Sequence, residues 1–295
     1  MRILIVGCGD VGLRAARLLR GRARLYALSH SPGRFAELRA AGITPIPGDL
    51  DDRPSLKRLS GLADAILHFA PPPGDGETDP RTRRLLAALT RRGRSPSPLG
   101  PPPTLVYIST SGVYGDCAGA TVAETRPVRP RNARAKRRVA AERTLRAWGR
   151  HGRRPVILRA PGIYAAERMP ADRVRKGLPA IVAEDDAHTN HIHAEDLARL
   201  ALAALFRGKP NRIYHAVDDS GLKMGDWFDV VADHLGLPRP PRLSREEVMA
   251  AVTPAMASFL GESRRLANRR SKGELRFRLR YPTVREGLAG PAGFS

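Results

Sequence analysis

Residues 1–12 read MRILIVGCGDVG, and the fold can be argued outward from this stretch. Ile3–Val6 is a short, wholly apolar run, which is typical of a strand buried in a parallel sheet. Apolar residues then recur with helical spacing over Val11–Leu19, so we expect a helix there. Three glycines, Gly7, Gly9 and Gly12, lie where the two patterns meet. The stretch therefore predicts a strand, a tight turn and a helix in direct succession.

The spacing of the glycines, GxGxxG, is typical of a dinucleotide site when it joins a strand to a helix. Gly7 permits the tight turn, Gly9 lets the backbone approach a pyrophosphate, and Gly12 lets the helix pack on the strand. The first helical turn, with Asp10 and Val11, would present free N–H groups and the positive end of the helix dipole to the phosphates. The alternative is a tight turn that binds no ligand.

Strands and helices alternate through the first 160 residues, which indicates βαβ units. The predicted strands are Ile3–Val6, Arg24–Leu28, Ile43–Ile46, Ala65–Phe69, Leu105–Ser109 and Val156–Arg159, and the predicted helices are Val11–Leu19, Arg34–Ala40, Arg81–Arg91 and Arg134–Arg150. The Pro- and Gly-rich stretch over 93–103 is expected to be a surface loop. Parallel strands with short returns predict an α/β fold with a doubly wound parallel Rossmann sheet.

After residue 160 the pattern is less regular. We expect helices over Asp196–Phe206 and Met224–Leu235 and a strand over Arg212–Val217. The chain is therefore divided into a Rossmann dinucleotide-binding domain, residues 1–160, and a mixed segment, residues 161–295. The second segment is expected to complete the fold and to form a small C-terminal substrate lobe.

The second predicted strand ends in LSHSPGR, where NAD-binding versions usually place Asp or Glu. No carboxylate stands there to repel a 2′-phosphate, and Ser29, His30 and Arg34 are placed to bind one. NADP(H) is therefore the expected cofactor, while NAD(H) stays open; the alternative for Arg34 is a solvated helix residue. Asp49 and Leu50 follow the third strand, where the adenine would lie, although Asp49 is equally suited to an ordinary turn.

The chain has 295 residues and a formal charge of +22 at pH 7. Such a charge suggests nucleic-acid binding. However, 45 of the 51 basic residues are Arg, a bias that we attribute to a GC-rich genome, because a phosphate-binding surface normally uses Lys as well. The sequence contains no helix–turn–helix, zinc or RNA-binding signature. We expect no specific nucleic-acid partner and a small-molecule substrate, for which an anion is a good fit.

The longest apolar runs are far too short to span a membrane. The two cysteines, Cys8 and Cys117, lie in neither a metal nor a redox spacing. We therefore expect a cytoplasmic protein without a bound metal, present as a monomer or a homodimer.

Seven blocks follow one another in the order typical of the short-chain dehydrogenase/reductase superfamily. They are GCGDVG (7–12), GDL (48–50), HFAPPP (68–73), ISTSGVYGD (108–116), RRVAAERTL (137–145), LRAPGIY (158–164) and NHIHAEDLA (190–198). The chain resembles the extended, atypical members described as NAD-dependent epimerase/dehydratase or nucleoside-diphosphate-sugar epimerase-like proteins. The resemblance implies cofactor contacts from Phe69, Ala70 and Pro71 and, on the nicotinamide side, from Pro161 and Ile163.

The chemistry of that superfamily uses a Ser or Thr together with the Tyr and Lys of a YxxxK motif. The resemblance places the first at Thr110, whose hydroxyl would hydrogen-bond the substrate oxygen. The Tyr and Lys positions fall on Arg134 and Arg138, and Lys136 lies outside that register. Because arginine stays protonated in proteins, it polarises a carbonyl or binds an anion but cannot shuttle a proton. Arg138 would hold the nicotinamide ribose, with Arg134 beside the nicotinamide; the alternative is two solvent-facing arginines.

His191 is a candidate acid–base group, since the resemblance places it beside the substrate cleft. Tyr114 and Tyr164 are expected to pack rather than to react. The leading hypothesis is an NAD(P)-dependent oxidoreductase or epimerase/dehydratase-like enzyme with a replaced Tyr/Lys pair. It would act on a carbonyl or hydroxyl group of an anionic or sugar-nucleotide substrate. The alternative is a catalytically silent NADP(H)-binding sensor or regulator, and turnover would separate the two.

Overall fold

The computed structural model describes residues 1–90 and 103–289. The strands are β1 (Arg2–Val6), β2 (Arg24–Ser29), β3 (Ile43–Pro47), β4 (Ala65–His68), β5 (Thr104–Thr110), β6 (Thr121–Val122), β7 (Arg154–Ala160), β8 (Gly162–Tyr164), β9 (Ala180–Ile181), β10 (His191–His193), β11 (Arg212–His215), β12 (Arg242–Leu243) and β13 (Arg265–Leu266). The α-helices are α1 (Asp10–Leu19), α2 (Phe35–Ala40), α3 (Pro80–Leu89), α4 (Ala133–Gly149), α5 (Ala171–Arg175), α6 (Ala194–Arg207), α7 (Met224–Leu235), α8 (Arg245–Ala251), α9 (Pro254–Leu260), α10 (Arg269–Glu274) and α11 (Val284–Ala289). The loop predicted over 93–103 lies outside the described residues except for Pro103.

Seven parallel strands form the central sheet in the order β11-β7-β5-β4-β1-β2-β3. The inner strands of the sheet are buried because their residues are apolar on both faces; Ile3 to Val6 of β1 are at most 1% exposed. The order of the strands reverses between β1 and β4. A crevice for a ligand forms at the carboxyl ends of strands at such a reversal. The α/β class and the doubly wound parallel sheet predicted from the sequence are confirmed.

Helices cover both faces of the sheet, each over its own hydrophobic core. On one face α1 and α6 pack together, and the core includes Ala15 and Leu19 of α1 with Leu197 and Ala201 of α6. On the other face α3 and α4 supply Leu85, Leu86, Ala141 and Leu145. These helices are amphipathic or rich in alanine on the buried side, so the sheet and both helix layers exclude water from the strands.

A smaller hydrophobic core is built from residues after position 160. It joins Tyr164 and Val174 to Trp227 and Phe228 of α7 and to Val284 of α11. The same part of the chain also supplies α6 and β11 to the main sheet and its helix layer. A boundary near residue 160 stays a prediction. No helix within the described ranges is long and apolar enough to cross a bilayer.

Candidate dinucleotide and substrate site

The glycine turn occupies the carboxyl end of β1, at the reversal of strand order. Gly7 has φ +86°, and a Cβ there would lie 2.3 Å from the Ala70 backbone nitrogen, so only glycine fits. A Cβ on Gly12 would lie 3.2 Å from the Gly7 carbonyl oxygen, because α1 packs closely on the turn. Gly9 is different, since a Cβ there would meet no atom of residues 1–90 or 103–289 within 4 Å. Protein packing explains two of the three glycines and leaves space beside the third.

The amino end of α1 points into that space. Gly9 is the N-cap residue, and no side chain of the described residues caps the helix. The N–H groups of the first turn and the positive end of the helix dipole are therefore free to bind an anion. The residues present fit a dinucleotide pyrophosphate at this position.

The carboxylate of Asp10, in the first turn of α1, lies between two guanidinium groups. Arg14 Nε donates to Oδ1 at 2.7 Å, and Arg168 Nη1 donates to Oδ2 at 2.9 Å. Burial disfavours the charged carboxyl, but these two hydrogen bonds outweigh it and lower the pKa of Asp10. The negative charge at the phosphate end of α1 is thus offset by two arginines, one of them from the segment after β8.

Arg34 reaches back from the end of β2 to the glycine turn. Its Nη1 donates to the Cys8 carbonyl at 2.9 Å, and its Nε and Nη2 contact the Glu37 carboxylate at 3.0 and 3.2 Å. Ser29 is half-buried and bonds within the same loop, whereas His30 is exposed. The structure therefore brings Arg34 to the glycine turn and holds it there with a carbonyl and a carboxylate.

Other residues predicted to contact the cofactor follow the carboxyl ends of β3 and β4. The Asp49 Oδ1 accepts from the Asp51 backbone nitrogen at 2.8 Å. Asp49 therefore has the turn role that the sequence offered beside a contact to the adenine. Leu50 is buried in the core beneath α3 and α4. The backbone nitrogens of Phe69 and Ala70 both donate to the Val6 carbonyl oxygen, at 2.7 and 2.9 Å, so that segment lies directly against the end of β1.

Pro71 is exposed beside this segment. Pro161 and Ile163 follow the end of β7, which pairs with β5 from Thr104↔Arg154 to Thr110↔Ala160. Both residues are half-buried, and Ile163 packs against the core under α1 and α6. The two prolines and Ile163 thus lie at the carboxyl edge of the sheet, where the crevice is.

Arg138 reaches from α4 onto β5. Its Nη1 donates to the Ile108 carbonyl oxygen at 2.7 Å and to the Tyr107 hydroxyl at 2.9 Å. The chain runs from β5 through α4 to the parallel strand β7, so α4 runs antiparallel to β5. Thr110 lies two residues further along β5, and its Oγ1 accepts from the Gly112 backbone nitrogen at 3.2 Å. Arg138 is thereby fixed close to the strand end that carries Thr110.

Arg134 lies one turn before Arg138 on α4. Four helix residues advance about 6 Å and two strand residues about 6.6 Å, so Arg134 is level with Thr110 along the sheet. Its guanidinium carbon lies 5.6 Å from the centroid of Phe259 in α9, a ring that is 51% exposed. Arg134 is exposed, as in the solvent-facing alternative. Partial desolvation and repulsion from Arg138 and Arg137 lower its pKa. Within the part of the chain that the structure describes, no carboxylate pairs with Arg134.

His191 lies inside the C-terminal core. Its ring centroid is 4.5 Å from that of Trp227 and 6.2 Å from that of Tyr164, and the residue is 3% exposed. Burial lowers the pKa of His191 to about 3, so the imidazole is neutral. This packing favours a structural role over the acid–base role expected from the resemblance. His193 is also buried, and its Nδ1 accepts from the Glu195 backbone nitrogen at 3.2 Å at the start of α6.

A buried polar network behind Thr110 was not anticipated from the sequence. The Ser109 hydroxyl donates to Glu142 Oε1 at 2.6 Å, and Arg159 Nε and Nη2 bind the two oxygens of Glu142 at 3.1 and 2.6 Å. Arg159 Nη1 also donates to the Tyr114 hydroxyl at 2.6 Å. These groups tie α4 to β5 and β7, which fixes the height of Arg138 against the sheet.

The proton positions at the far end of that network follow from its partners. His215 Nδ1 lies 2.8 Å from the Ala267 carbonyl oxygen and must donate to it. His215 Nε2 therefore accepts from the Tyr114 hydroxyl at 2.6 Å. Burial lowers the pKa of His215 to about 4 and raises that of Tyr114 to about 12. Both groups stay neutral, and Tyr114 is a packing residue with a satisfied hydroxyl.

A Rossmann sheet with a ligand crevice at its carboxyl edge defines a nucleotide-binding α/β protein. The profile of the family described as NAD dependent epimerase/dehydratase matches residues 3–216, which is most of the chain. The chain belongs to the NAD-dependent epimerase/dehydratase family. Across the described ranges, no cluster of His, Cys, Asp and Glu side chains is arranged to hold a metal ion.

Solved structures share the whole fold. A conserved protein of unknown function from Silicibacter pomeroyi is 29% identical, with a TM-score of 0.77 over 97% of this chain and 96% of that one. PA4631, a nucleoside-diphosphate-sugar epimerase from Pseudomonas aeruginosa, is 18% identical with a TM-score of 0.78, over 99% and 96%. A double mutant of DesIV, a dTDP-glucose 4,6-dehydratase from Streptomyces venezuelae with NAD bound, is 22% identical with a TM-score of 0.74, over 99% and 95%.

Proposed function

We propose that this protein is an NADP(H)-dependent oxidoreductase or epimerase acting on a carbonyl or hydroxyl group of an anionic, sugar-nucleotide-like substrate. An arginine pair, Arg134 and Arg138, stands where the superfamily has Tyr and Lys. The observation that carries the proposal is the placement of α4, which sets Arg138 against the Ile108 carbonyl and Arg134 level with Thr110. The sugar-nucleotide enzymes among the structural neighbours support the substrate class.

The preference for NADP(H) rests on Arg34. Its guanidinium lies at the glycine turn, and no carboxylate occupies positions 28–34 at the end of β2. A 2′-phosphate would displace the exposed Glu37 carboxylate and take its place as the partner of the Arg34 guanidinium. Arginine binds phosphate well because its planar fork offers two parallel donors.

In the proposed reaction each residue of the site has its own role. A nicotinamide dinucleotide held at the glycine turn and by Arg34 would supply the hydride transfer. Thr110 donates a hydrogen bond to the reacting oxygen of the substrate, and Arg134 stabilises negative charge that develops on it. Because arginine cannot act as a proton shuttle in a protein, the proton is exchanged with water in the crevice. Arg138 and the buried network behind it hold α4 in place for these contacts.

The experiment measures binding and turnover with dTDP-glucose and UDP-glucose as probes, in the presence of NADP⁺. We expect slow conversion of at least one of them. Arg134→Ala should weaken its binding about tenfold or more, since a charge-assisted contact is lost, and should leave NADPH binding unchanged. Arg134→Tyr with Arg138→Lys should raise reduction of simple carbonyl compounds, because the titratable pair is restored.

Arg150→Ala serves as the control, because Arg150 is an exposed arginine at the end of the same helix, outside the crevice. Equal effects of the Arg134 and Arg150 substitutions would refute the role of Arg134. Binding of NADPH with no turnover of either sugar nucleotide, in the native protein or the Tyr/Lys variant, would support the sensor instead.

A further inference from the structure

A second polar pocket lies at the opposite end of the sheet from β2 and β3. It has a volume of about 610 Å³ and lies between α4, the segment after β6, and the outer strand β11. Strand β11 is four strands away from β1, which corresponds to about 19 Å at the usual strand spacing. The pocket is therefore separate from the glycine turn and its phosphates.

Arginine dominates the lining of this pocket. Six arginines and two glutamates contribute, so cations outnumber carboxylates by four. Val128 and Val139 form an apolar part of the wall. A concave site of this size with convergent charge and an apolar wall suits a small molecule rather than an extended polymer.

The two carboxylates of the lining are already neutralised inside the protein. Glu142 accepts two hydrogen bonds from Arg159 and one from Ser109, and it is 4% exposed. Glu124 is 7% exposed; it accepts from the His215 backbone nitrogen at 3.1 Å and pairs with Arg270 at 3.5 Å. Neither is available to the arginines at the rim.

Three arginines at the rim have no such partner. Arg143 and Arg146 lie on neighbouring turns of α4, and Arg126 follows β6. All three are exposed, and among residues 1–90 and 103–289 no carboxylate forms an ion pair with any of them. Holding like charges together around a concavity is unfavourable unless an anion joins them.

From this arrangement we infer a second ligand site, for a small molecule that carries two or more linked phosphate groups. Arg143, Arg146 and Arg126 bind the phosphates as bidentate donors. The apolar wall at Val128 and Val139 contacts the rest of the ligand. The phosphate-binding groups of this site, Arg126, Arg143 and Arg146, have no role in the proposed reaction. Glu142 and Arg159 of the lining belong to the network behind Thr110 and are not assigned to the ligand.

The test titrates inorganic pyrophosphate into the full-length protein by calorimetry at about 0.15 M salt, where unspecific attraction by the basic surface is screened. Arg143→Gln with Arg146→Gln should weaken binding about tenfold or more, since two charge-assisted contacts are lost. Arg17→Gln with Arg20→Gln is the matched control. Arg17 lies in α1 and Arg20 directly follows it, and both are exposed and outside the pocket, so the affinity should change by less than about twofold.

Repeating the titration with Gly9→Val separates this site from the dinucleotide site. We expect pyrophosphate binding to persist in that variant even though the glycine turn is blocked. Binding that disappears with Gly9→Val, or that falls equally in both double variants, would overturn the inference. So would tight duplex DNA binding lost in the Arg143/Arg146 variant without any pyrophosphate binding, since the surface would then serve nucleic acid.

Discussion

Arg34 lies after β2 and hydrogen-bonds the Cys8 carbonyl of the glycine turn, 26 positions earlier in the sequence. One guanidinium nitrogen is bonded to backbone, while the other two face Glu37. The side chain is thus oriented before any ligand arrives. In the proposed NADP(H) complex, this orientation would reduce the entropy lost when a phosphate replaces the carboxylate.

Arg34→Ala should weaken NADPH binding about tenfold or more, since a charge-assisted contact to phosphate is worth roughly 1.5–3 kcal/mol. NADH binding should change by less than about twofold, because NADH lacks that phosphate. Calorimetry with both cofactors checks this, with Arg20→Ala as an exposed-arginine control. An equal loss for NADPH and NADH would mean that Arg34 supports the turn through Cys8 and does not select the cofactor.

Asp218 makes stability depend on pH. The residue is 5% exposed; its Oδ1 accepts from the Ser220 backbone nitrogen at 3.0 Å, and Oδ2 has no partner among the described residues. Burial raises its pKa to about 7. The folded protein therefore holds a proton that the unfolded chain has released between about pH 4 and pH 7, so this group's contribution to stability falls as pH rises through that window.

Asp218→Asn keeps the shape of the protonated acid and cannot ionise. Its free energy of unfolding relative to the native protein should rise with pH across that window, by up to about 1.4 kcal/mol per pH unit. Burial lowers the pKa values of His68 and His191 to about 3, so these groups make stability rise with pH. Both proteins contain them, and their effect cancels in the difference between the two free energies of unfolding. Urea unfolding between pH 5 and 8 measures the difference, and a constant difference would contradict the assignment.

The helices and strands differ in how closely their bounds could be predicted from the sequence. β1 and the helix after it could be predicted because an apolar run, a glycine turn and helical spacing occur within 19 residues. α7 begins and ends at the predicted residues, since Gly236 terminates it in the left-handed conformation. β11 ends two residues before the predicted Val217, because Asp218 turns away and donates its backbone N–H to the His191 carbonyl.

The candidate site could be predicted only where a local pattern or register fixes it. The four-residue spacing of Arg134 and Arg138 puts both on one side of α4, so their shared direction was predictable. The Ser109–Glu142–Arg159 network was not, because its members come from three elements and meet only in the folded chain. The surroundings of His191 were hidden for the same reason, since Trp227 approaches it from α7.

Across the whole molecule, the arginines that give the chain its excess positive charge differ in their burial and in their partners. Many arginines form exposed ion pairs such as Arg239 with Asp233, and such pairs add little to stability. Others are buried and tie elements together, as Arg159 does with Glu142. A third group, which includes Arg134 on α4 and Arg143 and Arg146 in the second pocket, has no carboxylate partner among the described residues. The charge is therefore informative as a guide to anion sites rather than to the fold.

The central claim is that a nicotinamide dinucleotide binds at the glycine turn, and Gly9→Val tests it most directly. Gly9 has φ −86° and open space around its Cβ position, so valine is tolerated by the fold but fills the space that a pyrophosphate needs. Calorimetry of NADPH binding should give a clear signal for the native protein and none for Gly9→Val, while circular dichroism gives the same melting temperature for both. NADPH binding of equal affinity in the folded Gly9→Val protein would contradict the account.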